Sequence, residues 1–263
     1  MLETVLRVGF IGFGTIARGV VQRLRAEDEI DLVGALVADR GKSRDAAAPP
    51  IVASLEELLE RQPSVVVELA GHAGLRCFGP PILRAGVDLM MVSVGALADP
   101  AVERAIVDAA CAGKSQAIVV SGAIGALDAI ASASVGGLTR VIHTTRKPAR
   151  ALLSPSEAAE LHAPRELFRG SAREGALRFP ESVNVAAAVS LAGIGLDRTE
   201  VCVIADPHVD RNRHEVLAEG EFGDLRFEIG NIPSDDNPRT GRLVAMSVVR
   251  ALRQRRAPLR VGG

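Results

Sequence analysis

The sequence predicts an α/β protein whose first part is a Rossmann-type, doubly wound parallel sheet. Short apolar runs alternate with stretches of helical periodicity through roughly the first 120 residues. These runs are apolar on both faces, as expected for parallel strands that helices cover on either side. From about Thr139 strand candidates follow one another more directly, which predicts a second α/β domain on a mixed or antiparallel sheet.

The elements of the first part follow in a regular order. Strand patterns occur in VLRVGFIGF, IDLVGALVAD, SVVVELAG, VDLMMVSVG and SQAIVVSG. The first helix is predicted in TIARGVVQRLRAE, where apolar residues recur at helical spacing. Ser54 with Glu57 three residues later is typical of a capping box. Asp99 followed by Pro100 predicts the start of another helix.

The second part contains four strand candidates and a final helix. The strands are predicted in TRVIHTTRKP, EVCVIAD, RHEVLAEGEF and DLRFEIGN, and helical stretches include SPSEAAELH and VNVAAAVSLAG. Asn237 is predicted to cap the last helix and Pro238 to begin it. We therefore expect a dinucleotide-binding domain at 1–120, on which helix 237–263 packs back, and a second domain at 121–236.

Composition argues against several classes of partner. The formal net charge is −1, no long basic stripe occurs, and Trp and Tyr are absent, so a nucleic-acid or anionic-membrane partner is not expected. The start, MLETVLRVGF, is acidic and strand-like and does not suit a signal peptide. The three cysteines, Cys77, Cys111 and Cys202, are far apart and odd in number. They are interpreted as reduced thiols of a cytoplasmic protein.

A glycine-rich turn lies between the first strand and the first helix. Gly12-x-Gly14-x-x-Ala17 combines a tight turn, a position without Cβ where a pyrophosphate can approach, and close contact between helix and strand. The helix start at Thr15 and Ile16 presents free N–H groups to the phosphates. This pattern predicts NAD or NADP as the coenzyme, although a turn with a purely structural role gives the same letters.

The second strand ends near Asp39, which is followed by a basic segment. A carboxylate at this position accepts hydrogen bonds from ribose hydroxyls and favours NAD, whereas Arg40 can neutralise a 2′-phosphate and favours NADP. Lys42 and Arg44 fit a solvated loop better than a coenzyme contact. The sequence leaves the choice between NAD and NADP open.

Two later segments have small residues suited to a coenzyme. Ser121 to Gly125 form a turn of small residues that can meet a nicotinamide or simply cross between domains. Asn184 precedes an alanine-rich helical stretch, where its amide can pair with a carboxamide or act as an N-cap. Both alternatives stay open on residue reasoning.

His214 lies in a strand pattern on the same side as Val216 and Ala218. It is interpreted either as a buried core residue or as a proton-transfer group. A metal site would pair His214 with His208, but six strand residues span about 20 Å and no Cys/His cluster is present, so no metal is expected. The remaining histidines are interpreted as ordinary core or surface residues: His72, His143 and His162.

Taken together, several motifs resemble the L-aspartate dehydrogenase family. They are GFIGFGTIA, VSVGALAD, SGAIGALDAI, TRKP, FPESVNVAAAVSLAGIG, NRHEVLAEGEFG and NIPSDDNPRTG, in the family's order and over nearly the whole chain. The resemblance implies a Rossmann domain and a second domain that provides the active site and the contact of a homodimer. It also implies NAD(P) contacts at Ala123 and Asn184 and a catalytic histidine at His214.

The resemblance implies oxidation of L-aspartate to iminoaspartate, followed by hydrolysis to oxaloacetate and ammonia, with a possible role in pyridine nucleotide (NAD) biosynthesis. A dicarboxylate substrate needs a cationic group to bind it. The candidates are Lys147 in TRKP and Arg239 with Thr240 in NPRTG, although surface ion pairs would use the same residues. The family commonly has N-P-K-T-S where this chain has NPRTG.

Two alternative enzymes share the same two-domain pattern, and a third alternative is not an enzyme. The protein could be homoserine-dehydrogenase-like, or it could be dihydrodipicolinate-reductase-like, which would require paired histidines that the sequence does not show. It could also be a non-catalytic NAD(P) sensor, which would favour a basic DNA-reading helix that is not seen.

Overall fold

The computed structural model describes residues 5–24, 29–41, 48–179, 183–234 and 237–262. The chain divides into two compact units, one of residues 1–122 and 244–263 and one of residues 123–243. Each unit contains its own β-sheet. Within the described part, no helix has both the length and the apolar character to cross a membrane.

The sheet of the first unit has six parallel strands in the order β3-β2-β1-β4-β5-β6. The strands are β1 Leu6–Ile11, β2 Ile30–Leu36, β3 Ile51–Val52, β4 Val65–Glu68, β5 Asp88–Met91 and β6 Ala117–Val119. This is the Rossmann order, in which the sheet reverses its direction of winding between β1 and β4. The predicted fold class of the first part is therefore confirmed. The short β3 had no sequence signal.

The helices of this unit are α1 Thr15–Leu24, α2 Leu55–Glu60, α3 His72–Arg84, α4 Pro100–Gly113 and α9 Leu243–Arg256. Two of them, α2 and α4, begin where their capping residues predict. Ser54 Oγ accepts a hydrogen bond from the backbone N–H of Glu57, and the Asp99 carboxylate accepts one from the N–H of Ala101. Each contact satisfies an N–H that the first helical turn leaves unpaired.

The predicted start of the last helix at Asn237 and Pro238 is wrong. Residues Asn237–Gly241 form strand β13, which pairs with β12, Pro233–Ser234, and α9 begins only at Leu243. An Asn-Pro pair suits a hairpin as well as a helix start, because asparagine also stabilises turns. The helix itself packs against α1, where a Cβ on Gly19 would lie 3.1 Å from the Ala245 Cβ.

The second unit is built on a mixed sheet of five strands in the order β11-β10-β7-β9-β8. The strands are β7 Leu138–Pro148, β8 Arg165–Ser171, β9 Glu200–Asp206, β10 Arg213–Gly220 and β11 Gly223–Gly230. The β7–β9 pair is parallel and the other pairs are antiparallel. The expected mixed sheet is thus confirmed, with β8 added at one edge.

Helices cover one face of this second sheet. The unit contains α5 Leu127–Val135, α6 Pro155–Glu160, α7 Ala172–Arg178 and α8 Val183–Ala192. Ile130 of α5 and Val189 of α8 join a buried cluster with Val141, Val216 and Ala218 of the strands. These strand residues alternate with residues of the other face, so the covered face is the one that also holds His214.

Candidate active site

The turn after β1 needs glycine at its first position. Gly12 has φ +90°, and a Cβ there would lie 2.8 Å from the carbonyl oxygen of Leu69. Its N–H donates to the carbonyl of Leu36 at 2.7 Å. Any side chain would therefore push apart the carboxyl ends of β1 and β4, the point where Rossmann sheets bind dinucleotides.

The rest of the glycine turn is open in a way that fits a pyrophosphate. A Cβ on Gly14 would meet nothing within 4 Å, so its backbone is accessible, while Ala17 is completely buried against the sheet. Thr15 and Ile16 are half-buried at the start of α1, and no acidic residue lies in that first turn. The turn thus offers N–H groups and a positive helix end to an anion.

The acid and the base expected at the adenosine ribose are both exposed after β2. The Asp39 carboxylate accepts a hydrogen bond from the N–H of Gly41 at 2.9 Å, and Arg40 follows directly. Lys42 and Arg44 lie outside the described residues. Both ways of recognising the ribose therefore stay predictions.

A buried carboxylate, which the sequence analysis missed, joins two loops at the carboxyl end of the first sheet. Glu68 is 1% exposed, and it accepts hydrogen bonds from the N–H of Ala70 and from both the N–H and the hydroxyl of Ser93. Burial raises the pKa of the Glu68 carboxyl, and these hydrogen bonds oppose the rise. Glu68 thereby fixes the loops that follow β4 and β5.

Ala123 and Asn184, the predicted coenzyme contacts in the two small-residue segments, belong to the second unit. The carbonyl of Ala123 accepts a hydrogen bond of 2.8 Å from the side chain of Asn231, a buried residue that the sequence analysis also missed. Asn184 lies in the first turn of α8, which is described from Val183. The N-cap interpretation of Asn184 is therefore wrong, and its exposed amide stays a predicted coenzyme contact.

His214 forms a pair with a second histidine. His214 on β10 and His143 on β7 lie on the covered face of the sheet, 5% and 0% exposed. Nδ1 of His214 lies 3.2 Å from Nε2 of His143, and the rings stack with centroids 5.4 Å apart. His143 is a core residue, which is one of the two predicted interpretations, but it is not an ordinary one, because the register of β7 on β10 brings it to His214.

Burial in the sheet favours the neutral form of both imidazoles. Burial and then the positive charge of Lys147 lower the pKa of His214 to about 4. Burial and then the neighbouring His214 hold the pKa of His143 well below its usual value. Each effect disfavours a charge in an apolar environment or beside a like charge.

The predicted substrate-binding residues differ in their position and burial. Lys147 is half-buried on β7, two residues beyond Thr145, which pairs with His214, so it lies on the histidine face. Thr240 is half-buried on β13, and the Arg239 side chain lies outside the described part. His208 is exposed in the turn after β9, and the described residues contain no group of three side chains that could hold a metal ion.

Sequence signals for the roles of Glu68, His143 and Asn231 were weak. His143, Thr145 and Lys147 alternate along one strand, which places them on one face. The pairing of His143 with His214 depends on strand register across 71 residues, which the sequence does not give. Glu68 ends β4 and Asn231 directly follows β11, positions where a polar residue is easily taken for part of a loop.

Comparison with known proteins identifies the family. Residues 128–255 match the model described as aspartate dehydrogenase, C-terminal, and residues 12–120 match that of homoserine dehydrogenase, NAD binding domain. An L-aspartate dehydrogenase from Cupriavidus necator is 43% identical over 95% of this chain and 98% of the relative. This chain belongs to the L-aspartate dehydrogenase family.

Two further comparisons agree with this assignment. The L-aspartate dehydrogenase of Ruegeria pomeroyi is 43% identical over 97% of this chain and 94% of its own. The crystal structure of aspartate dehydrogenase from Thermotoga maritima matches 98% of this chain and 99% of that chain with a TM-score of 0.80 and 26% identity.

Membership in the L-aspartate dehydrogenase family decides the broad class of chemistry. The chain is an oxidoreductase that acts on a CH–NH2 group of a small molecule and has an NAD-binding domain. The pairing of His143 with His214 removes the objection that the sequence analysis raised to a reductase-like protein. The homoserine-dehydrogenase-like, reductase-like and sensor interpretations are nevertheless less well supported, because the L-aspartate dehydrogenases that are 43% identical span both parts of the chain.

Proposed function

We propose that this protein oxidises L-aspartate to iminoaspartate with NAD or NADP, and that the imine is then hydrolysed to oxaloacetate and ammonia. The observation that carries the proposal is full-length similarity, at 43% identity, to L-aspartate dehydrogenases. The buried histidine pair beside a lysine gives this similarity a chemical basis, because the reaction needs a proton acceptor and a cation for a carboxylate.

The coenzyme is proposed to bind through the residues predicted from the sequence. Gly12, Gly14, Thr15, Ile16 and Ala17 would hold the pyrophosphate by backbone N–H groups. Asp39 or Arg40 would contact the ribose, and Ala123 and Asn184 the nicotinamide end. When bound, the coenzyme supplies the acceptor for the hydride that leaves Cα of the substrate.

His214 is proposed to take a proton from the water that attacks the imine carbon. An imidazole must be neutral to act as a base, and the lowered pKa of His214 keeps it neutral at physiological pH. The charge of Lys147 both contributes to that lowering and suits a substrate carboxylate. Arg239 and Thr240 are the further candidates for the second carboxylate.

A direct assay tests this function. Purified protein is mixed with L-aspartate and either NAD or NADP, and the absorbance of reduced nicotinamide is followed. We expect absorbance to rise with L-aspartate and at least one coenzyme. A signal only with another amino or hydroxy acid would reassign the substrate, and silence with a broad panel would favour a coenzyme sensor.

We also propose that the enzyme is a cytoplasmic homodimer and that its product can feed NAD biosynthesis. The sheet face opposite the histidines supports the dimer: Ile142 pairs with Leu217 there, both half-buried, between charged pairs such as Arg140–Glu219. Partly exposed apolar strand residues with a polar rim are typical of subunit contacts. Sedimentation equilibrium at twice the monomer mass is expected, and a monomer at micromolar concentration would contradict the dimer.

A further inference from the structure

The histidine pair is built by strand register. Antiparallel pairing of β7 and β10 places His214 opposite Thr145 and His143 opposite Val216. The two histidines are therefore diagonal neighbours on one face, a spacing that aromatic and long side chains bridge. Their rings lie within 19° of parallel, and the short contact joins Nδ1 of His214 to Nε2 of His143.

This contact determines which nitrogen of His214 is available for chemistry. A neutral imidazole carries one proton, on either Nδ1 or Nε2, and the hydrogen bond of one nitrogen sets the state of the other. Since Nδ1 of His214 already faces His143, Nε2 is the nitrogen left for water or substrate. Nε2 has a free lone pair only when the proton of the ring is on Nδ1, which then donates a hydrogen bond to Nε2 of His143.

His143 has no competing use for its ring within the described part of the chain. Its side chain is fully buried, and its Nδ1 has no hydrogen-bond partner there. An unpaired buried nitrogen is unfavourable as a donor and as an acceptor, so it does not choose between the two tautomers of the pair. The tautomer of the pair is therefore assigned from the proposed role of His214 as the base.

We propose that His143 is a positioning residue that accepts the Nδ1–H of His214, and so holds the ring with its Nε2 lone pair available for the reaction. The inference rests on the proposed function, in which His214 is the base. A water O–H bond breaks, its proton moves to Nε2, and the hydroxyl oxygen bonds to the imine carbon. In this addition to the protonated imine, the π electrons of the C=N bond move to the nitrogen. Nε2 then returns its proton to that nitrogen, the C–N bond breaks as ammonia leaves, and the hydroxyl proton passes to water as the C=O bond of oxaloacetate forms.

His143 also stabilises the charged intermediate state of its partner. Once Nε2 has taken the proton, His214 is an imidazolium, and hydrogen bonds to charged groups are stronger than those between neutral ones. The positive charge stays on His214, because His143 is more deeply buried and a charge there is less favourable. Loss of the acceptor is therefore felt in the transition state rather than in substrate binding.

Three variants of the full-length protein test this role. His143→Phe removes the acceptor and keeps a flat ring, His143→Gln keeps an amide that can accept, and Thr199→Val removes another buried, unpartnered polar atom of the same unit as the matched control. We expect His143→Phe to lower kcat by about 10- to 100-fold, with KM for L-aspartate and coenzyme Kd changed by less than about two-fold. His143→Gln should regain part of kcat, and Thr199→Val should retain it.

Nitrogen NMR of histidine-labelled protein reports which ring nitrogen carries the proton, a property that a purely structural role of His143 would not change. At neutral pH, His214 of the unaltered protein should carry its proton mainly on Nδ1, and His143→Phe should lose that preference. A proton on Nε2 in the unaltered protein, tautomers unchanged by His143→Phe, or undiminished kcat would each overturn the proposal. The tautomer measurement needs no turnover and no variant, so it tests the pair even if L-aspartate is not the substrate or a variant fails to fold.

Discussion

At the scale of single residues, function depends on the environment that a strand gives to a side chain. The sequence favours only His214 as a functional histidine, because Val216 and Ala218 mark the strand face on which it lies. It gives no comparable reason to favour His143. The covered sheet face makes both rings neutral and leaves them as each other's partner. Lys147, on the same face, adds a positive charge that disfavours their protonation.

Replacing Lys147 should change the titration of His214. Because the ammonium of Lys147 lowers the pKa of His214, Lys147→Met is expected to raise that pKa above about 4. The measurement is an NMR pH titration of the His214 ring. Arg146→Met is the control, since Arg146 lies on the opposite face, paired with Asp206, and should leave the titration unchanged. An unaltered pKa in Lys147→Met would show that its charge does not reach His214.

At the scale of elements, the sequence predicted most strands and helices of the first unit because their signals are local. Apolar runs mark β1, β4 and β5, and capping residues mark α2 and α4. Strand β8 was missed because Arg165, Glu166 and Arg169 interrupt any apolar run at a sheet edge. The histidine pair could not be read either, since register is fixed by tertiary pairing rather than by nearby residues.

The loops after β4 and β5 should depend on the Glu68 carboxylate. Glu68→Gln places an amide N–H2 where the carboxylate accepted hydrogen bonds, so at least one of its donors, the Ala70 N–H or the Ser93 groups, loses its acceptor. A buried polar group left unpaired costs about 1–3 kcal/mol, which is the expected decrease in the free energy of unfolding. Urea denaturation measures it. Glu56→Gln, on an exposed helix surface, is the control, and equal losses in both variants would refute the role of Glu68.

At the scale of the whole molecule, the buried histidines link folding to pH. The pKa of His214 falls from 6.5 to about 4 on folding, and that of His143 also falls. Between pH 6.5 and about 4, the unfolded chain binds a proton at His214 that the folded chain does not bind. The contribution of the neutral His214 to stability is therefore complete above pH 6.5 and is lost as the pH falls toward 4.

The loss of stability at low pH can be measured by comparing the unaltered protein with a variant that lacks both histidines. From the His214 shift alone, the free energy of unfolding should decrease by about 3 kcal/mol between pH 6.5 and 4. Carboxylates titrate in the same range, so the comparison is with a protein carrying both His143→Phe and His214→Phe. Chemical denaturation across this range should show a shallower decrease in the double variant. Parallel curves would mean that the pair is not buried in its neutral form.

The central claim is that His214 transfers a proton in the oxidation of L-aspartate, and His214→Ala tests it most directly. Positioned proton transfer contributes about 10²–10⁴ in rate, so turnover of L-aspartate should fall by that factor, while the Kd of NAD or NADP, measured by fluorescence titration, stays nearly unchanged. Turnover equal to that of the unaltered protein would contradict the account.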